Sequence, residues 1–208
     1  MLTILYISLL STSIIHTTNL LINYIDYQAK WFQLHTITNL FVTAFSLNDT
    51  IDCLLDPQKA VLPASNSFAL MLVIILHLYH ILGFKLRLED WYHHVSGFIV
   101  TPVMLLNNTK AVSTACFFMS GFPGGIDYGM LVLVKNNVVS KKRQKQICSY
   151  LNAYIRQPGG VISSYLLFHS AIKRDVYVSY YLFFAFTVFL NATFYSKQAI
   201  ENYSNHKN

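Results

Sequence analysis

Phe68-Ala69-Leu70-Met71-Leu72-Val73-Ile74-Ile75-Leu76-His77-Leu78-Tyr79-His80-Ile81-Leu82 contains no Asp, Glu, Lys or Arg. With its flanks it forms an apolar segment, 67–84, close to the roughly 20 residues that cross a bilayer as a helix. His77 and His80 interrupt it three residues apart, so they share a helix face. A short turn, 85–90, then leads into Asp90-Trp91-Tyr92-His93-His94. Half of the 8 histidines therefore fall within one short window of an apolar chain. Ionisable side chains are costly in hydrocarbon, and there they point to function.

Working outward, similar apolar segments occur at 2–24, 92–106, 111–134, 147–172 and 177–195. Segment 32–47 is weaker, because it carries His35, Thr36, Thr38 and Asn39. Only 12% of the 208 residues are charged and 54% are hydrophobic, against about 25% charged in soluble domains. Mean hydropathy is +0.41, and aromatics reach 15%, which suits interfacial belts. The fold class expected is an all-α integral membrane protein, a bundle of six or seven transmembrane helices. Residues 1–66 would supply N-terminal membrane segments and an outer loop, 67–196 the main bundle, and 197–208 a polar cytosolic tail. The first segment lacks a basic n-region and a small-residue cleavage site, so it reads as a retained helix.

The net charge of +6 is concentrated in Lys141, Lys142, Arg143 and Lys145, with Lys135 just before them. Between apolar segments, that cluster reads as a cytosolic loop under the positive-inside rule and not as a nucleic-acid surface. The seven-span topology then leaves only Lys59, Lys110, Lys173 and Arg174 on the outer side. Asn48 and Asn107 head Asn-x-Thr tripeptides in outer loops, compatible with glycan acceptors. Cys53, Cys116 and Cys148 lack CxxC spacing and read as core residues, neither a disulfide framework nor a zinc site.

Polar residues gather on the inner side of this topology. Asp127 lies in Pro123-Gly124-Gly125-Ile126-Asp127, and Arg156 precedes Pro158-Gly159-Gly160. A carboxylate at that depth needs a partner, Arg156 or one of His93 and His94. The two Pro-Gly-Gly stretches read as helix breaks lining a polar cavity, or as small residues that allow close helix packing. Paired histidines with an orienting carboxylate could act as base and acid in acyl transfer. Imidazoles at helix spacing could also hold a metal, but membrane di-iron enzymes use about twice as many clustered histidines, and none is assigned here. His16, His35 and His169 are isolated and read as structural.

Glu89-Asp90-Trp91-Tyr92-His93-His94-Val95-Ser96, behind an apolar helix bearing Tyr79, resembles the double-histidine signature of the TLC family, the ceramide synthases and their non-synthase relatives. A proline break near Asp127, a basic stretch at 135–145 and a helix with Asn152 and Arg156 follow in the same order. The similarity covers about 67–195, and only His93-His94 is fairly specific. The synthases carry further aspartates after the double histidine, where this chain has only Asp127, and they carry a longer N-terminal region. The resemblance implies a lipid-handling protein of the endoplasmic reticulum or another endomembrane. His93, His94 and Asp127 would be catalytic, with His77, His80 and Arg156 in support. No resident cofactor is implied; an acyl-CoA would be the co-substrate. A non-enzymatic lipid binder, sensor or trafficking protein is the rival, followed by a proton-coupled transporter in which His80, His93 and Asp127 form a relay.

Overall fold

The computed structural model describes residues 2–25, 29–83, 91, 95, 101–175 and 177–206. These residues form helices and turns, with one isolated antiparallel bridge, Pro63 to Thr109, and no strand. Helix α1 is Leu2–Ile25, α2 is Lys30–Leu55 and α3 is Phe68–Gly83. A helical stretch, 101–106, is α4. Helix α5 runs from Lys110 to Lys135 and contains a π-helical turn, Phe117–Gly121. Helix α6 consists of Lys141–Leu151, a second π-helical turn Asn152–Arg156, and Gln157–Arg174. Helix α7 is Val178–Ser204.

Three of these are long and apolar enough to cross a membrane: Thr3–Tyr24 in α1, Lys110–Lys135 and Val178–Ser204. Only 22% to 28% of their apolar windows is buried, so most of their large side chains face outward. Leu5, Leu9 and Leu20 on α1, Phe168 on α6, and Phe183, Phe186 and Phe189 on α7 are exposed. In water such a coat would be an aggregation surface, whereas lipid tails solvate it. Helix α3 is apolar but has 16 residues, about 24 Å at 1.5 Å per residue.

The weak segment 32–47 is the middle of a 26-residue helix at the centre of the bundle, packed on α1, α3 and α5. Its low hydropathy misleads because its polar residues point inward: Thr38, Asn39, Ser46 and Thr50 are buried. Its hydroxyls donate to the preceding turn, Thr43 Oγ1 to Asn39 O and Thr50 Oγ1 to Ser46 O, both at 2.8 Å. Such bonds hide a hydroxyl without a partner helix.

The Pro-Gly-Gly stretches do not break their helices, contrary to the reading as interruptions. Each follows a π-helical turn in which the residue before proline bonds five residues back, Phe122 N to Phe117 O and Gln157 N to Asn152 O. Proline lacks an N–H and collides with the carbonyl four residues earlier; the wider turn relieves that collision while the helix continues. The glycines serve packing. A Cβ on Gly159 would stand 2.0 Å from Cδ1 of Phe118, and one on Gly160 would stand 2.4 Å from the Ala192 Cβ. Helix α6 is thus wedged between α5 and α7.

Two boundaries also differ. Lys141, Lys142, Arg143 and Lys145 belong to the first turns of α6, not to a loop, behind an N-cap in which Arg143 N donates to Ser140 Oγ at 3.2 Å. The tail expected at 197–208 is helical as far as Ser204.

One end of the bundle is tied by a polar network that no motif announces. Buried Asp49 accepts from Ser65 N at 3.1 Å and from Ser65 Oγ at 2.5 Å, with Lys110 Nζ at 3.7 Å. Asp52 pairs with Lys59 at 2.9 Å and with Lys110. Arg174 donates to Asn107 Oδ1 at 2.6 Å, and Tyr181 donates to Asn107 O at 2.7 Å. The Asn107 amide nitrogen is buried, which leaves no room for a glycan there and corrects the acceptor reading of that tripeptide. This is the network end; the end bearing Lys141–Lys145 is the basic end.

Candidate functional site

A cavity of about 810 Å³ lies between α2, α3, α5, α6 and α7. Four helices supply it with regular stripes. On α6 the lining residues Gln144, Cys148, Asn152 and Arg156 are spaced by four. On α7 they are Phe184, Val188, Asn191, Tyr195, Gln198 and Asn202, spaced alternately by four and three. On α2, Trp31, His35 and Asn39 are spaced by four, and on α3 Leu70, Val73, His77 and His80 face the same space. Spacings of three and four select one face of a helix, and here that face points inward.

The lining is graded along the bundle. Toward the network end it is mainly Leu70, Val73, Ala115, Cys116, Phe184 and Val188, with Thr101 and Thr187 as polar exceptions. Toward the basic end it carries Asp127, Gln144, Lys145, Asn152, Gln198 and Asn202. From Phe184 to Asn202 the stripe on α7 rises about 27 Å at 1.5 Å per residue, so the gradient extends over most of a bilayer's thickness.

Asp127 and Arg156, expected at similar depth on successive helices, are paired: Arg156 Nη1 lies 3.0 Å from Asp127 Oδ2. Asn152 completes the group, donating to Asp127 Oδ2 at 3.1 Å and accepting from Arg156 Nη1 at 2.6 Å. The π-helical turn presents both Asn152 and Arg156, since each lies within it. Asp127 Oδ1 and Arg156 Nε are buried without a hydrogen-bond partner among the described residues; the Cys148 thiol, a weak donor, lies beside the carboxylate. Opposite, Ser120 donates to Asn39 Oδ1 at 3.0 Å. A Cβ on Gly124 would stand 2.6 Å from Asn39 Nδ2, so that glycine lets α2 bring its amide against α5.

The second group is aromatic. Trp31 touches two histidines, edge-to-face with His35 at a centroid distance of 3.9 Å and tilted against His80 at 4.0 Å. His35 lies parallel to Tyr128 at 4.2 Å. His77 Nδ1 is 2.6 Å from Val73 O; the carbonyl only accepts, so Nδ1 carries a proton. No group of three or more His, Cys, Asp or Glu among the described residues could hold a metal ion.

Of the residues singled out in the sequence, His77, His80, Asp127 and Arg156 line this one cavity. His93 and His94 lie outside the described residues. His35, read as structural, lines the cavity together with Trp31, Asn39, Tyr128 and Lys145. Two further polar stripes carry a signal in their spacing: 144, 148, 152 and 156 on α6, and 191, 195, 198 and 202 on α7, each running into an apolar segment. No family model, curated protein or solved structure matches the chain.

Proposed function

We propose that this is a polytopic protein of the endoplasmic reticulum or a related endomembrane, with six or seven spans, that holds a lipid amphiphile in its cavity. The tail lies among Leu70, Val73, Phe184 and Val188, and the head group lies at the basic end. The polarity gradient along one stripe of α7, from Phe184 and Val188 to Gln198 and Asn202, carries this reading. The volume falls within the roughly 300–1,000 Å³ of small-molecule sites. Apolar burial holds such a tail at about 25 cal/mol per Å², while amides that both donate and accept orient a polar head. The resemblance to the TLC family supports the same reading from different residues.

Acyl transfer is the second reading, favoured by the imidazoles of His77 and His80 on the cavity that Asp127 also lines. In it His93 or His94 removes the proton of a hydroxyl or amine, which attacks an acyl-CoA. The acyl C–S bond breaks as the new C–O or C–N bond forms, and the other histidine protonates the departing thiolate.

Lipid extraction and mass spectrometry of the purified protein test both readings. Wild type should yield a stoichiometric amphiphile, and Val188→Trp, which fills the apolar end, should yield little while still melting cooperatively. Recovery of no lipid from wild type overturns the binding reading. Added acyl-CoA then separates the two: acylated product that disappears in His93→Gln and His94→Gln supports transfer, and bound lipid without product leaves binding alone.

A further inference from the structure

We infer that the head group of the occupant is negatively charged, a carboxylate or a phosphate, and that Lys145 binds it at the basic end of the cavity. The inference rests on the amphiphile reading and specifies its ligand.

Among the described residues, three charged side chains line the cavity: Asp127, Arg156 and Lys145. The first two neutralise each other across 3.0 Å. The titratable rings on the wall, His35, His77 and His80, are neutral or positive and so oppose no anion. Lys145 is partly buried and makes no ion pair among the described residues. Glu201, the acid beside Asn202 in sequence, lies outside the lining, and its carboxylate is 3.7 Å from the Lys197 ammonium.

An ammonium drawn partly out of water is unfavourable unless a counter-charge compensates it, and lysine ordinarily extends such a head into solvent. Here Lys145 is part of the cavity lining, as are Gln144, Gln198 and Asn202. Gln144 is 5% exposed, and its Nε2 reaches the Cys148 sulfur at 3.1 Å, a weak acceptor that leaves the amide ready for a better one. These amides add N–H donors to a lining that also holds an ammonium, the kinds of group that bind an oxyanion. Lys145 also lies in the second turn of α6, where the helix N-terminus is positive. Lys141 and Lys142 are exposed and outside the lining; they attract anions at long range but cannot touch the head group. Among the described residues, Lys145 is the lining cation that no carboxylate neutralises.

The experiment compares four single-chain amphiphiles binding to the full-length protein in neutral nanodiscs: oleate, oleyl alcohol, oleoyl lysophosphatidic acid and monooleoylglycerol. At least one anionic probe should bind about tenfold tighter than its neutral counterpart, the effect of one charge-assisted hydrogen bond. Oleate and lysophosphatidic acid distinguish a carboxylate from a phosphate. Lys145→Gln should remove the preference, Lys145→Arg should retain it, and Lys142→Gln should have no effect. Equal affinity for charged and neutral probes, or equal losses in Lys142→Gln and Lys145→Gln, overturns the inference while leaving the amphiphile cavity intact. Binding of none of the four overturns the cavity reading itself.

Discussion

The two acidic centres of the bundle occupy opposite ends and are built on opposite principles. Asp49 and Asp52 project from the last turns of α2 into a network of loop residues. Asp49 is 0% exposed and is surrounded by a backbone N–H, a hydroxyl and a lysine. Asp127 instead meets one helix, through Arg156 and Asn152, and one of its oxygens is left without a hydrogen-bond partner among the described residues. Many donors on a loop produce a satisfied, rigid end. A single ion pair beside a cavity leaves hydrogen-bonding capacity over, and buried capacity of that kind is retained in folds that use it. The network end is where the bundle is tied; the basic end is where hydrogen-bonding capacity is left over.

Removing one partner from each centre tests that contrast. Arg156→Met should cost about 3–5 kcal/mol, the usual loss when a buried charge keeps its desolvation and loses its partner. Pairing it with Asp127→Asn should recover much of that loss, because the two charges compensate chiefly each other. Denaturation in graded detergent, with the double-mutant cycle, measures it. A loss below about 1 kcal/mol for Arg156→Met would place the pair with hydrated surface bridges and remove the contrast.

The corresponding change at the network end, Asp49→Asn, should cost less, about 1.5–3 kcal/mol, the worth of hydrogen bonds to a charged group. Here a second substitution, Lys110→Met, should give no recovery, because Ser65 still presents its N–H and hydroxyl to whatever stands at position 49. Recovery at this end would mean that Asp49 and Lys110 form an isolated pair after all.

What the sequence reveals differs in the same way between the two ends. Asp127 and Arg156 stand out because each is a lone charge within an apolar segment, and a lone charge at depth needs a partner. The Asp49 network is silent, because its donors come from a loop and from a backbone N–H that no pattern encodes. Helix α2 is hidden for a related reason: hydropathy counts Thr38, Asn39 and Ser46 as polar without seeing that they turn inward. The Pro-Gly-Gly stretches show the limit most clearly. Composition suggests a break, yet the chain absorbs proline with a π-helical turn and uses glycine for contact with Phe118 and Ala192. Residue type identifies a departure from regular helix; only the packing partners decide which departure it is. The polar stripes of α6 and α7 were legible in spacing alone, and they are what assembles the cavity.

The smallest expected effect sharpens the description of the network end as an electrostatic tie. Lys110 and Lys59, both bonded to Asp52, hold its carboxyl below the ordinary 3.8, at about 2. A carboxyl whose folded pKa is depressed stabilises the fold above its unfolded pKa, and that contribution disappears as pH falls through the folded value. The contribution should therefore be complete above pH 4 and vanish between about pH 4 and pH 2. Asp52 is 33% and Lys59 41% exposed, so solvent screens the pair and the effect is modest. Melting temperatures of wild type and Asp52→Asn should differ at pH 6 and converge toward pH 2, with the gap narrowing in high salt. A gap that persists unchanged to pH 2 would show that Asp52 acts through shape and neutral hydrogen bonds, and Asp49 would then be the acidic centre that ties the network end by charge.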